Sequence, residues 1–170
     1  MRMTKVIVSA FLATLGLALA WLWWSAADLD RPVNFKEATL TARPNQFLAC
    51  PAGYCADTPH MISPTFPVTR AELATAWDAM MDGKTRFRLL ATHDESDRRQ
   101  YEERSKLIGF PDRISVQFLP LSPDTSSVAI YSRSKYGYSD MGVNEARVGR
   151  LMAELKAKLD QHDNNTGASE

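Results

Sequence analysis

Seven polar side chains capable of recognition chemistry crowd into fifteen residues: Arg133, Lys135, Tyr138, Ser139, Asp140, Asn144 and Arg147. Arginine and lysine donate charge-assisted hydrogen bonds to carboxylate or phosphate. The segment lies between a predicted last strand and a predicted last helix, and a helix start leaves its first backbone N–H groups without partners. Asp140 or Asn144 can cap that helix, and Gly137 and Gly142 permit tight or left-handed turns. The cluster therefore suits a small anionic ligand held at a strand-to-helix junction. The same residues also suit a plainer role, a capping loop in which Asp140 pairs with Arg147 or Arg133.

Catalytic readings find less support. Ser139, Asp140 and His93 are the types a nucleophilic set needs, but nothing in their spacing gives them geometry. His60, His93 and His162 are scattered, and the chain holds no Gly-x-Ser-x-Gly elbow, phosphate-cradling glycine loop or His-Glu-x-x-His helix. Glu102 and Glu103 are neighbours on a predicted strand, so they point to opposite faces and cannot form a carboxylate pair. No catalytic residue, metal site or cofactor is assigned.

Cys50 and Cys55 are the only cysteines. An even pair so close in sequence forms a disulfide in an oxidising compartment. Free thiols are a second reading. A metal site drawing on Asp57 and His60 is a third, although Cys-x4-Cys with one histidine lacks the second close pair of a zinc site.

The elements that must position these residues begin with a leader. Arg2 and Lys5 precede an uncharged run from Val6 to Trp24, which ends in Trp21, Trp23 and Trp24. As a helix the run spans about 28 Å, close to a hydrocarbon core of about 30 Å. With Asp28 and Asp30 beyond it, the pattern predicts an N-terminal transmembrane helix, N-terminus in the cytoplasm. Small residues at Ser25, Ala26 and Ala27 also fit a cleaved signal peptide. Both readings export the rest: at the inner, cytoplasmic membrane with the domain on its outer side, or free in the periplasm after cleavage.

Residues 1–27 are thus expected to be anchor or signal, 28–66 a proline-rich tether and cysteine-bearing arm, 67–162 an α+β domain, and 163–170 a disordered tail. Prolines recur through the arm at positions 32, 44, 51, 59, 64 and 67, so neither a long helix nor a central strand is expected there. Thr69-Arg70-Ala71-Glu72 is a capping box, followed by an apolar stripe of Leu73, Trp77, Met80 and Met81. Strands are expected at Phe87–Ala91, Gln100–Leu107, around the alternating Ile114, Val116 and Phe118, and at Ser127–Arg133. Val148, Leu151, Met152, Leu155 and Leu159 make the apolar face of the last helix, with a frayed tail from Gln161. The expected fold is α+β: helix, four-stranded mostly antiparallel sheet, helix, both helices on one face.

Against this frame, the stretch from Ser132 to Arg147 resembles the signature of the domain-of-unknown-function 1499 family, in particular at Gly137, Tyr138, Ser139, Asp140, Gly142, Asn144 and Arg147. Cys50-Pro51 with Cys55, and the strand from Phe110 to Phe118, resemble two further segments of that family, so the likeness spans residues 43–155. The chain departs from the pattern at Tyr131 and Lys135, where the family often has arginine, and at Tyr54. The resemblance implies an exported or membrane-associated domain and implies no reaction.

The chain's 170 residues carry 20 basic and 20 acidic side chains, a balance that argues against a nucleic-acid binder. The reading that follows is a membrane-associated, non-enzymatic binding module for a small anion or an envelope protein. A hydrolase using the Tyr138–Arg147 loop and a carrier enclosing an apolar ligand beside Trp77, Met80 and Phe118 are the alternatives.

Overall fold

A computed structural model of the chain describes residues 11–17, 33–94, 97–104 and 109–166, with side chains as far as 161. The chain divides into two compact units, residues 1–31 and 32–170. In the first unit residues 11–17 are helical and exposed. Seven residues of helix cover about 10 Å, roughly a third of a hydrocarbon core. The rest of the Val6–Trp24 run lies outside the described residues. Among the described residues no helix is long and apolar enough to cross a membrane, so the expected transmembrane helix is not seen.

The second unit is an α+β layer structure built on six strands rather than four. In chain order these are β1 (Gln46–Cys50), β2 (Met61–Ile62), α1 (Arg70–Met81), β3 (Phe87–His93), β4 (Arg98–Arg104), β5 (Pro111–Pro120), β6 (Ser126–Ser134) and α2 (Val143–Thr166). The strand order across the sheet is β2-β1-β6-β5-β4-β3. Strands β3 to β6 form the expected antiparallel meander. The two unexpected strands come from the proline-rich arm: β1 pairs antiparallel with β6, and β2 pairs parallel with β1, which makes the sheet mixed. Proline excludes a strand only where it sits inside one. Pro44 and Pro51 instead bracket β1, leaving five residues free to pair.

Helix α1 starts where its capping box predicts. Thr69 Oγ1 accepts from the Glu72 N–H, and Glu72 Oε2 accepts from the Thr69 N–H at 2.9 Å. Helix α2 runs past the expected fray point at Gln161 to Thr166. A Lys156–Asp160 pair one turn apart supports its C-terminal part, and no glycine or proline intervenes before Gly167.

Both helices lie on one face of the sheet. Leu73 and Trp77 of α1 and Leu151 and Leu155 of α2 share one core with Ile114, Val116, Phe118, Val128 and Ile130. The arm covers part of the opposite face: Val33, Phe35, Leu48 and Cys50 pack against Leu119, Ala129 and Tyr131. The middle strands are thus buried on both sides, which is why β1 shows no alternating signature. At the core's centre the Trp77 Nε1–H donates to the Tyr101 hydroxyl at 3.0 Å, and its ring meets Phe118 edge-on. Burial, against the opposing hydrogen bond from Trp77, pushes the Tyr101 phenol up to about 12.

Candidate functional site

Strand alternation decides which groups of the 132–147 segment can meet. Ser132 and Arg133 are neighbours in β6 and point to opposite faces. Ser132 faces the helices, and Arg133 faces away, its guanidinium over the Tyr131 ring at 5.5 Å. After Ser134 the chain turns through Gly137, at φ +91°, and Gly142, at φ +80°, with Met141 between them also left-handed at +55°. These conformations suit glycine and strain methionine.

Asp140 caps α2. Its Oδ1 accepts from the Gly142 N–H at 3.0 Å and its Oδ2 from the Asn144 N–H at 2.8 Å. The Ser139 hydroxyl accepts from the Met141 N–H at 3.2 Å. A carboxylate already sits where an incoming anion would meet the first turn.

Behind this cap lies a buried polar network. The fully buried Asn144 donates through Nδ2 to Asp140 and to the Asn45 carbonyl, and its Oδ1 accepts from Ser132 Oγ at 2.6 Å and from Arg147 Nη1 at 2.6 Å. Asp140 thus reaches Arg147 through Asn144 rather than by the direct pairing expected from spacing. Arg147, 2% exposed, donates from Nε to Glu103, from Nη1 to Ser132 as well as Asn144, and from Nη2 to Asp112 at 2.6 Å. Four of its five donors are accounted for inside the fold. Glu103 also takes an ion pair from Arg86 at 2.9 Å.

On the other sheet face Glu102 is the focus. Arg113 binds its Oε2, and Arg88 and Arg104 share its Oε1 at 3.3 and 3.0 Å. Burial opposes its ionisation, but these three guanidinium groups, Arg113 foremost, hold its carboxyl below the usual range. The two adjacent glutamates serve separate clusters on opposite faces, as their spacing predicts.

The seven candidate ligand residues therefore divide. Asp140, Asn144 and Arg147 join one network. Tyr138, 69% exposed, and Ser139 lie at the surface, and Arg133 and Lys135 are half-buried, Arg133 across the sheet from Arg147. Sequence reasoning missed Asn45, Glu103, Asp112 and Ser132 as members. Two signals were available: the Phe110–Phe118 segment, which carries Asp112, and the family-like stretch from Ser132 to Arg147, which opens on Ser132.

A cleft of about 440 Å³ borders the junction, lined by Phe47, His60, Ser139, Asp140 and Glu145 among others. His60 stacks on Phe47, and its Nδ1 accepts from the Leu48 N–H at 3.0 Å. His93 lies on β3, at the opposite sheet edge from β1 and β2, and joins no set with Ser139.

Cys50 and Cys55 form a disulfide, with Cα atoms 6.2 Å apart. Asp57 accepts from the Leu40 and Thr58 N–H groups, which, Leu40 foremost, hold its carboxyl below the usual range. Cys50, Cys55, Asp57 and His60 thus pin the arm. The carrier's trio fares differently: Trp77 and Phe118 are fully buried against each other. A groove of about 550 Å³ opens beside them, between α1 and strands β3 and β4, with Asp78, Met81, Phe87, Leu89, Arg99 and Tyr101 in its walls.

The family model for a protein of unknown function, DUF1499, matches residues 27–155. The chain belongs to the DUF1499 family. No curated protein matches the chain. In this DUF1499 domain the matched span takes in the arm from Val33, the disulfide, all six strands, both charged clusters and α2 as far as Leu155. The arm and the helix-capping loop thus fall within one family unit.

Proposed function

We propose that this DUF1499 chain is an exported, non-enzymatic binding module, and that it takes a small anion at the junction of β6 and α2 through Arg133, Lys135 and Tyr138. One observation carries the reading. Arg147 is buried and committed to internal acceptors, whereas Arg133, Lys135 and Tyr138, on the segment that leads from β6 towards α2, reach solvent. Asp140, Asn144 and Arg147 hold the frame, and the ligand falls to the cations outside it. Binding rather than hydrolysis is supported by the position of His93, on the sheet edge opposite β1 and β2 and away from Ser139.

Export is supported by the basic, apolar leader and by the disulfide, which suits an oxidising compartment. The leader carries the domain out of the cytoplasm and to the membrane, where an envelope protein is an alternative partner.

The test is a titration of inorganic phosphate into the full chain, read by melting temperature. The wild type gains stability with phosphate, and a chain carrying Arg133→Ala and Lys135→Ala melts normally but gains nothing. An equal gain in the double variant removes the reading.

A further inference from the structure

We infer that the end of the sheet where β4 stops and β5 begins docks on an anionic phospholipid surface. The inference rests on the reading of this junction as an anion site, and it names the ligand class as the lipid phosphate headgroup. Two independent features of the same end converge on it.

The first is an arginine row. Register places Arg88, Glu102, Arg113 and Arg133 side by side on β3, β4, β5 and β6. Arg104 follows Glu102 by two residues and shares its face. Glu102 is bound by three of these guanidinium groups, those of Arg88, Arg104 and Arg113. Arg113 and Arg133 are cross-strand partners, and like charges directly opposite repel. Arg88 and Arg104 compete for a single oxygen of Glu102 and are 67% and 64% exposed. Arg113 is buried against Glu102, so the groups that reach solvent are Arg88, Arg104 and the half-buried Arg133. At about 4.8 Å per strand they spread over roughly 14 Å from β3 to β6, too broad for one small anion and matched to several headgroups.

The second is an apolar, aromatic tip. Phe110 immediately precedes β5 and Tyr136 closely follows β6, and their exposed rings meet edge-on at 5.6 Å. Further along the same loop Tyr138 and Met141 are also exposed, Met141 at 96%. The rows are physically joined: Arg104 Nη1 donates to the carbonyl of Gly109, next to Phe110, at 3.4 Å. Soluble phosphate has no use for exposed aromatic and thioether surface. A bilayer interface does, because amphipathic rings settle at headgroup depth while basic side chains take the phosphates.

The experiment mixes the full chain with nanodiscs of phosphatidylcholine alone or with added phosphatidylglycerol, and reads amide exchange at residues 136–142. Because any contribution of the apolar leader is common to both lipids, the difference between them reports on this patch. The expected result is slower exchange with the anionic nanodiscs only. Arg88→Ala with Arg104→Ala, which leaves Arg113 bound to Glu102, lowers the apparent affinity behind that protection by roughly thirtyfold in a chain that remains folded. A Tyr138→Ser, Met141→Ser chain, altered only at exposed positions, loses the protection too. Equal exchange in both lipids overturns the inference, as does equal protection by soluble polyphosphate. A phosphate-induced gain in melting temperature without any lipid effect sinks this inference alone, and a response to neither sinks the small-anion reading with it.

Discussion

Glu103 and Asp112 sit directly opposite one another on β4 and β5, and the guanidinium of Arg147 is bound to both. Two carboxylates in that register repel. Arg147 turns the repulsion into a clamp that ties α2 to the middle of the sheet. Removing it leaves both carboxylates buried without their shared cation. Arg147→Ala is therefore expected to lower unfolding free energy by about 3–5 kcal/mol, measured by urea denaturation. Arg147→Lys recovers little, because a point charge cannot reach Glu103, Asp112, Ser132 and Asn144 together. Replacing Glu103, Asp112 and Arg147 together with apolar residues of similar volume restores much of the loss.

The cap is a smaller effect on the same junction. Asp140→Ala frees the N–H groups of Gly142 and Asn144 and costs about 1 kcal/mol, while Asp140→Asn costs less. Thermal melts of the two variants check the order. An Asp140→Ala loss as large as that of Arg147→Ala would mean that the loop, not the clamp, holds the helix.

Much of this fold was legible in the sequence. The capping box at Thr69, the meander from Phe87 to Arg133 and the apolar faces of both helices rest on local patterns, and local patterns survive folding. Strand β1 was not legible, because its five residues are covered on both faces and show no alternation. The site was half legible. Spacing marked Asp140, Asn144 and Arg147, but Arg147's partners Glu103 and Asp112 lie 44 and 35 residues away and are brought in by strand pairing alone. The opposite facing of Arg133 follows from alternation, once Ser132 is known to face the helices.

Acid should loosen the face opposite the helices. The Glu102 carboxyl is held below its usual range, so it contributes stability above the unfolded value near 4.5 that is lost as pH falls through the folded value. Glu102→Gln removes that pH dependence and leaves Arg88, Arg104 and Arg113 without their carboxylate. Its stability curve is expected to be lower at neutral pH and flatter below pH 4.5. A variant as acid-sensitive as the wild type would show that Glu102 is not the titrating group.

Reducing the disulfide should act on the arm and spare the helix-face core. Closing a loop this short contributes about 2 kcal/mol in the chain-entropy treatment. Cys55→Ser is expected to speed amide exchange in the arm around Val33–Leu40 while the amides of Ile114–Phe118 keep their protection. Native chain recovered from outside the cytoplasm should resist alkylation until a reductant is added. Free thiols in that material would contradict both the bridge and its compartment.

The central claim is that Arg147 frames the junction and binds no ligand. The most direct measurement is the nitrogen NMR signal of the Arg147 Nε–H during a phosphate titration. A slowly exchanging resonance that stays in place while the amides of Arg133 and Lys135 move is the predicted result. An Arg147 resonance that exchanges fast with water and shifts with the first additions of phosphate would contradict the account.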